Sequence, residues 1–256
     1  MPQLIELDFL DLAFAIALMI IAIGLSFWQK IGLELNLALA TVRTILQLLV
    51  LGFVLDFILA LNNVWAVLAI LAVMLTIAAI VAKNRITQKM PRVLPLVWAS
   101  MFFSTAFTLI YTNLAIIQPD RWFQPQYVIP LGGVVFGNAM NAAAIAGERF
   151  VSTINASHGE IETHLSLGAT PQQAIKQYKN DAIRAGLIPT INQMMIIGMV
   201  TIPGFMSGLL ISGVDYDKIP FQAASEAASY QILLMFMVAF SNLSTTILLT
   251  KALSHQ

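Results

Sequence analysis

The chain contains no cysteine. That excludes a disulfide framework, a Cys-ligated zinc site and an iron–sulfur cluster, and it removes cysteine as a clue to redox compartment. Charge is scarce as well. Thirteen Lys and Arg balance 13 Asp and Glu, so 10% of the 256 residues are charged and the formal net charge is zero. A soluble globular domain carries about a quarter charged residues. A neutral chain this poor in charge has no basic face for a nucleic acid, and none is expected as a partner. There is no G-x-x-x-x-G-K-[ST] phosphate loop. Gly132-Gly133-Val134-Val135-Phe136-Gly137 lies in an apolar run without a lysine, so it cannot cradle phosphates. There is no H-E-x-x-H motif, and His158, His164 and His255 fall in a loop or the tail. No catalytic residue, no cofactor bound by this chain and no identifiable metal-ligand set is therefore expected.

What is abundant is apolar surface. Apolar and aromatic residues make up 59% of the sequence, and the mean hydropathy is +0.83. A 28.0 kDa globule could not hide this much apolar surface beneath a polar skin. The composition predicts an all-α polytopic membrane protein, with residues 1–256 forming a single transmembrane domain. A spanning helix needs about 20 mostly apolar residues. Seven runs qualify: 10–28, 37–59, 64–82, 93–117, 127–147, 186–213 and 227–253. They are too continuously apolar for the alternating pattern of a barrel, and helices are what satisfy backbone groups in lipid. The opening MPQLIELDFLDLAF has no basic residue before its apolar run, so the first span reads as a permanent anchor rather than a cleaved signal. No internal repeat is evident, and seven spans do not divide into two inverted halves.

Lys and Arg set the orientation. The segment KNRITQKMPR, residues 83–92, holds four basic residues and no acid, so it is expected in the cytoplasm. With seven spans, the N-terminus is then outside and the C-terminus inside. Eleven of the 13 basic residues fall on the inner side, and Arg121 and Lys218 on the outer. Arg43 sits in the second span, one turn from Gln47 and close enough to the inner end to snorkel. No acid lies at its depth.

One inter-span loop is long: residues 148–185, between spans five and six. Ile161, Leu165 and Leu167 punctuate a polar stretch, and Gly168-Ala169-Thr170-Pro171 then breaks the run. Thr170 offers a hydroxyl cap and Pro171 suits the first helical position. The loop thus reads as a short helix, a turn, and a second helix over residues 172–184 running toward span six. Residues 160–173 carry acids and no Lys or Arg. A lipid-surface helix would be rich in both, so docking of the short helix into a groove of a soluble partner is the favoured reading.

Glu162-Thr163-His164-x-x-x-Gly168-Ala169-Thr170-Pro171 resembles the EAA coupling loop of ABC-transporter permeases, in which the helix before the Gly inserts into the ATPase subunit. His164 replaces a small residue there, and the nearest equivalent of the importers' Ile-x-x-Pro element is Ile188-Pro189. A wider resemblance covers nearly the whole chain. PLGGVVFGNAMNA, ERFVSTINASHGEIETHLSLGATPQQA and AGLIPTINQMMIIGMVTIPGFMSGLLISG, in that order, are similar to the Fet-type iron-export permease family, which includes membrane subunits of plant aluminium-tolerance ABC transporters. The resemblance implies an export system in the cell inner membrane. Two copies of this chain would join two copies of a separate ABC ATPase, which binds ATP and Mg and moves iron or a related substrate outward. It also implies that Glu162, Leu165, Gly168, Ala169, Thr170 and Pro171 carry the coupling.

Polar side chains within spans usually face protein or a wet cavity. Span five offers Asn138 and Asn141, three apart; span six offers Asn192 and Gln193. On a straight helix Asn192, Met195, Met199 and Met206 lie within roughly 60° of one another, although Pro203-Gly204 is expected to kink it. Asn138, Asn141, Asn192, Met195 and Met199 are therefore candidates for a substrate pathway, facing a cavity between two subunits. The competing reading is that Met fills packing gaps and Asn bonds across helices. Thioethers favour Cu(I) over Fe(II), so this stripe is no iron signature in itself. Gly204, Gly208 and Ser212 recur every four residues and read as a close-packing face. Three other functions remain open: a stand-alone secondary transporter or channel, an ABC permease for a non-metal substrate, and a non-transporting membrane scaffold. No acid lies in the inner half of a span and no chain of buried Asp, Glu or His suggests a proton relay, which weighs against an ion-coupled pump.

Overall fold

The computed structural model describes residues 9–61, 63–87, 93–204 and 220–255. Among them all regular structure is helical apart from one bridge between Ile197 and Thr201. Helix α1 spans Phe9–Trp28, α2 Glu34–Leu61, α3 Val64–Ile86, α4 Val93–Tyr111, α5 Pro125–Ala156, α6 His158–Ser166, α7 Pro171–Ala174, α8 Lys176–Ile196 and α9 Pro220–Leu253. A π-helical turn, Thr112–Ile117, prolongs α4. Five stretches are long and apolar enough to cross a membrane: Glu34–Val54, Val64–Ile86, Val93–Ile117, Pro125–Ala156 and Ser225–Leu253; Leu12–Trp28 is a shorter apolar helix.

The helix ends follow local chemistry. Asn63 caps α3 by accepting the Trp65 N–H at 2.9 Å. Lys83 and Arg85 sit in its last turn, where the helix dipole favours cations. The π-turn stops at Gln118, which takes a left-handed φ of 46°. Pro125 opens α5 at its first turn, where the missing N–H is no loss. Lys30 and Gly32, with φ of 52° and 79°, turn the chain from α1 to α2, and Ser26 Oγ donates to Glu34 Oε1 at 3.2 Å across that turn.

The core lies between α3, α4, α5, α8 and α9, with α5 at its centre. The buried residues of α5 are mostly small: Gly132, Ala139, Ala142, Ala143, Ala144, Ala146 and Gly147. Small side chains let helix backbones approach closely where lipid offers no hydrophobic drive for association. At Gly186 of α8, an added Cβ would lie 2.9 Å from the Ala142 carbonyl oxygen and 3.0 Å from both Ala146 Cβ and Thr246 Cγ2. Three helices therefore meet at one glycine. The seam of α9 is polar but buried. Ser104 of α4 donates to the Ser241 carbonyl at 2.7 Å, and Asn242 donates to Thr190 of α8 at 2.7 Å. By contrast the α1–α2 pair lies at the periphery, and Arg43 and Gln47 of α2 are exposed on the isolated chain.

The sixth predicted span needs correction. Residues 186–213 do not form one continuous helix. Helix α8 begins ten residues earlier, at Lys176, and ends at Ile196. The helix expected over residues 172–184 is therefore the first half of α8, after the short α7. Ile197 turns to extended backbone, and Gly198 adopts φ of 80°. Residues 205–213 of that expectation lie outside the described residues.

The contact at Gly186 makes a sharp test. Gly186→Ala forces its Cβ against a backbone carbonyl, and overpacking of this kind costs about 1–3 kcal/mol. Thermal unfolding in detergent is expected to show a lowered Tm. Gly24→Ala in α1, where no described atom lies within 4 Å, is expected to be neutral or stabilising by up to about 1 kcal/mol.

Candidate functional site

Where α8 ends, a cavity of about 380 Å³ opens between α5, α8 and α9. Gln193 and Ile196 line it from α8, Val134 and Asn138 from α5, and Gln231, Leu234 and Met235 from α9. The irregular segment from Ile197 to Gly204 supplies the remaining wall. This backbone ties itself off: Ile197 N–H donates to Gln193 O, Val200 N–H to Ile196 O and Gly198 N–H to Thr201 O, at 3.1, 3.0 and 3.0 Å. Irregular backbone at membrane depth is tolerated where it is buried in protein or lines a cavity.

Three amides from three helices thus share one cavity. Asn138 Nδ2 donates to the Val134 carbonyl at 2.8 Å, which leaves Oδ1 as its free acceptor. Gln231 is only 8% exposed and has no side-chain hydrogen bond among the described residues. None of the described lining residues is charged. A second cavity, of about 390 Å³ between α3, α4 and α5, is different in kind: Leu68, Leu71, Phe102 and Leu109 dominate its walls.

The other end of α8 carries the short helix and the turn. Helix α6 has no buried residue; Leu165 is 40% exposed and Leu167 80%. Its C-terminus is a Schellman motif: Ala169 N–H donates to His164 O and Gly168 N–H to Leu165 O, both at 3.0 Å. Gly168 has φ of 91°, a conformation that only glycine adopts without strain. Thr170 then forms a full capping box with Gln173. Thr170 N–H donates to Gln173 Oε1 at 2.8 Å, and Gln173 N–H donates to Thr170 Oγ1 at 3.3 Å. Tyr178 of α8 donates its hydroxyl to Glu160 Oε2 of α6 at 2.7 Å. That bond to Glu160, with a smaller contribution from burial, raises the Tyr178 pKa above its ordinary 10.0. A raised pKa means that the stabilisation is complete below the ordinary value and is lost only as pH climbs through the raised one. The tether is therefore intact at neutral pH.

Within the single chain the predicted pathway residues do not share one cavity. Asn138 lines the cavity, but Asn141 turns to Arg85 of α3, whose Nη1 donates to its Oδ1 at 3.1 Å. Asn192 is exposed and outside the lining. Because α8 stops at Ile196, the straight-helix stripe does not exist. Met195 and Met199 are 66% and 79% exposed, Met199 lies in the turn beyond the helix, and neither lines the cavity. Gly204 lines the cavity, and no described atom lies within 4 Å of its ideal Cβ; Gly208 and Ser212 lie outside the described residues. Glu162 and Leu165 stand on α6, with Gly168, Ala169, Thr170 and Pro171 forming the turn into α7. Sequence reasoning missed Gln231 and Met235. The signal was present: an amide and a thioether four residues apart, on one face of an apolar helix.

These features define a class: a multi-pass, all-α membrane protein with an unburied helix outside its bundle and an amide-lined cavity within it. A family model described as "Uncharacterised protein family (UPF0014)" matches residues 9–256, so the chain belongs to that family. It is 47% identical over 253 residues to "UPF0014 membrane protein slr1647" of Synechocystis, covering 99% of this chain and 95% of that protein. It is 35% identical over 239 residues to "Probable iron export permease protein FetB" of Escherichia coli, covering 93% and 87%. It is 32% identical over 237 residues to "UPF0014 membrane protein STAR2" of rice, covering 92% and 79%. No solved structure matches the chain.

The tether can be tested by exchange. Tyr178→Phe removes the bond to Glu160, so amide hydrogen exchange is expected to quicken over residues 158–168 while α8 keeps its protection.

Proposed function

We propose that this chain is the permease subunit of an ABC exporter, moving iron or a related metal out of the cytoplasm with ATP and Mg bound by a separate ATPase. The observation that carries the reading is that one helix, α8, joins the unburied α6 at its start to the amide cavity at its end. At 1.5 Å rise per residue, Gly186 sits about 15 Å from each end of α8. Its close contact with α5 and α9 makes it a fulcrum. A displacement of the tethered α6–α7 turn, driven by closure of an ATPase on Leu165 and Leu167, tilts α8 about Gly186 and moves Gln193 and the irregular segment at the far end. The cavity opens and closes to cargo accordingly.

The similarity to a relative named as a probable iron export permease supports metal as cargo. In this reading two copies face each other, since amides at the edge of a membrane bundle need polar surroundings rather than lipid. In this reading the excess of basic residues argues for α6 in the cytoplasm, with the N-terminus outside and the C-terminus inside, and the export reading sets the chain in a cell inner membrane.

Leu165→Asp and Leu167→Asp would each bury an unpaired charge in the ATPase groove, at several kcal/mol. ATPase copurification is expected to fall while membrane insertion is retained; unchanged association and ATP-driven metal efflux in vesicles would refute the docking. Orientation is read separately with single cysteines, which the chain otherwise lacks. Cys at Asp120 is expected to react with an impermeant thiol reagent in whole cells, and Cys at Ser166 is expected to be shielded; the reverse pattern inverts the map.

A further inference from the structure

We propose that the apolar cavity between α3, α4 and α5 holds one acyl chain of a bilayer phospholipid, anchored by a hydrogen bond from the lipid head to Asn113. The site is separate from the cavity at the end of α8 and does not depend on the export reading. Trp98, Phe102, Thr105, Leu109 and Asn113 recur at helical spacing along α4 and its π-turn, so they form one wall. At 1.5 Å rise per residue that wall is about 20 Å long. One leaflet with its headgroups has a similar depth, half of about 40–45 Å. Leu68, Leu71 and Leu75 of α3 line the slot from another side, and Phe136 of α5 is buried at its back. A volume of about 390 Å³ drawn out over that length suits a single narrow chain. The slot opens sideways. Leu68, Phe102 and Ile110 line it and are exposed, and they belong to the apolar spans Val64–Ile86 and Val93–Ile117. What meets such a mouth in a membrane is the hydrocarbon of the bilayer.

One polar atom marks the head end. Asn113 lines the slot, and its Oδ1 is buried with no hydrogen-bond partner among the described residues. Its Nδ2 donates to the Trp122 carbonyl, which leaves the oxygen as the unpaired atom. The other polar side chains of this wall are engaged. Thr105 Oγ1 donates to Met101 O at 2.7 Å, and Trp98 Nε1 donates to Thr76 Oγ1 at 3.3 Å. A buried acceptor left unpaired carries a desolvation cost that a donor on a ligand removes. Asn113 is presented by the π-turn Thr112–Ile117, a rare geometry that recurs at functional sites. The loop that follows sets this end at headgroup level: Asp120, Arg121 and Trp122 are exposed, and Trp favours the membrane–water interface. None of the described lining residues is charged. The phosphate of the head therefore stays outside the slot, and a hydroxyl or N–H of the head reaches Asn113.

The test counts the lipids that the full-length chain retains. The protein is reconstituted with phosphatidylethanolamine, phosphatidylglycerol and phosphatidylcholine in equal parts. It is then weighed by native mass spectrometry at detergent levels that strip loosely bound lipid. The wild type is expected to keep a single lipid per chain. The first two lipids carry N–H or O–H donors in the head and the third carries none. They are therefore expected to be retained over phosphatidylcholine about fivefold, the weight of one net hydrogen bond. Ala72→Phe and Ala106→Phe fill the slot from exposed and half-buried positions; both are expected to keep their helix content and lose the lipid. Asn113→Leu is expected to keep a lipid without the preference. No lipid on the wild type, phosphatidylcholine held equally well, lipid retained by both filling variants, or an unchanged preference in Asn113→Leu would each overturn the proposal. So would filling variants that lose self-association instead of lipid, which would assign the mouth to a second copy of the chain.

Discussion

The close approach of three helices at Gly186 is the constraint on which the rest depends. Where α8 meets Ala142 and Ala146 of α5 and Thr246 of α9, the space that a methyl group would need is already filled. In lipid, apolar surface gains nothing by meeting other apolar surface, so close van der Waals contact and interhelical hydrogen bonds must hold helices together. The small side chains of α5 and the buried Ser, Asn and Thr side chains of α9 supply both. Had α5 carried leucines at these positions, α8 would stand farther off. Gln193 could not then share a cavity with Asn138 and Gln231.

Helix α8 stops in the middle of an apolar stretch. A helix end leaves up to four carbonyls without helical donors, a serious cost in hydrocarbon. Here the turn from Ile197 to Thr201 bonds back onto α8, and the segment faces a cavity lined by amides. The break satisfies backbone groups through its own bonds, while Met199, Val200 and Ile202 stay exposed on the isolated chain, and it brings polar groups together at one point of an otherwise apolar bundle.

Helix α6 embodies the opposite choice. It buries nothing, yet a Schellman motif closes its end, a capping box starts α7 just beyond, and the Tyr178–Glu160 bond ties it to α8. A helix of nine residues is too short to persist on propensity alone. Fixing it so firmly while leaving Leu165 and Leu167 in the open fits a surface shaped to be covered by another molecule.

The all-α membrane class, most helix positions and the turn at Gly168-Ala169-Thr170-Pro171 were legible in the sequence, because each depends on interactions within a few residues. Apolar run length reports burial in lipid, a hydroxyl before proline reports a helix start, and glycine reports a left-handed turn. The end of α8 was not legible. Residues 194–203 read MMIIGMVTIP, apolar apart from Thr201, and a single glycine in such a run costs a helix only about 1 kcal/mol. The helix ends where Ile197 turns extended and Gly198 takes φ of 80°, beside a cavity whose other walls are α5 and α9, residues far away along the chain. Nor could spacing alone separate Asn138 from Asn141: only the position of Arg85 on α3 shows that one amide is engaged and the other open to the cavity. Gln231 and Met235 went unmarked because an amide and a thioether in an apolar helix gain a role only from what faces them. Local periodicity determined which segments are helices; the tertiary structure decided where one of them breaks and which polar groups meet there, since both depend on contacts between residues distant in sequence.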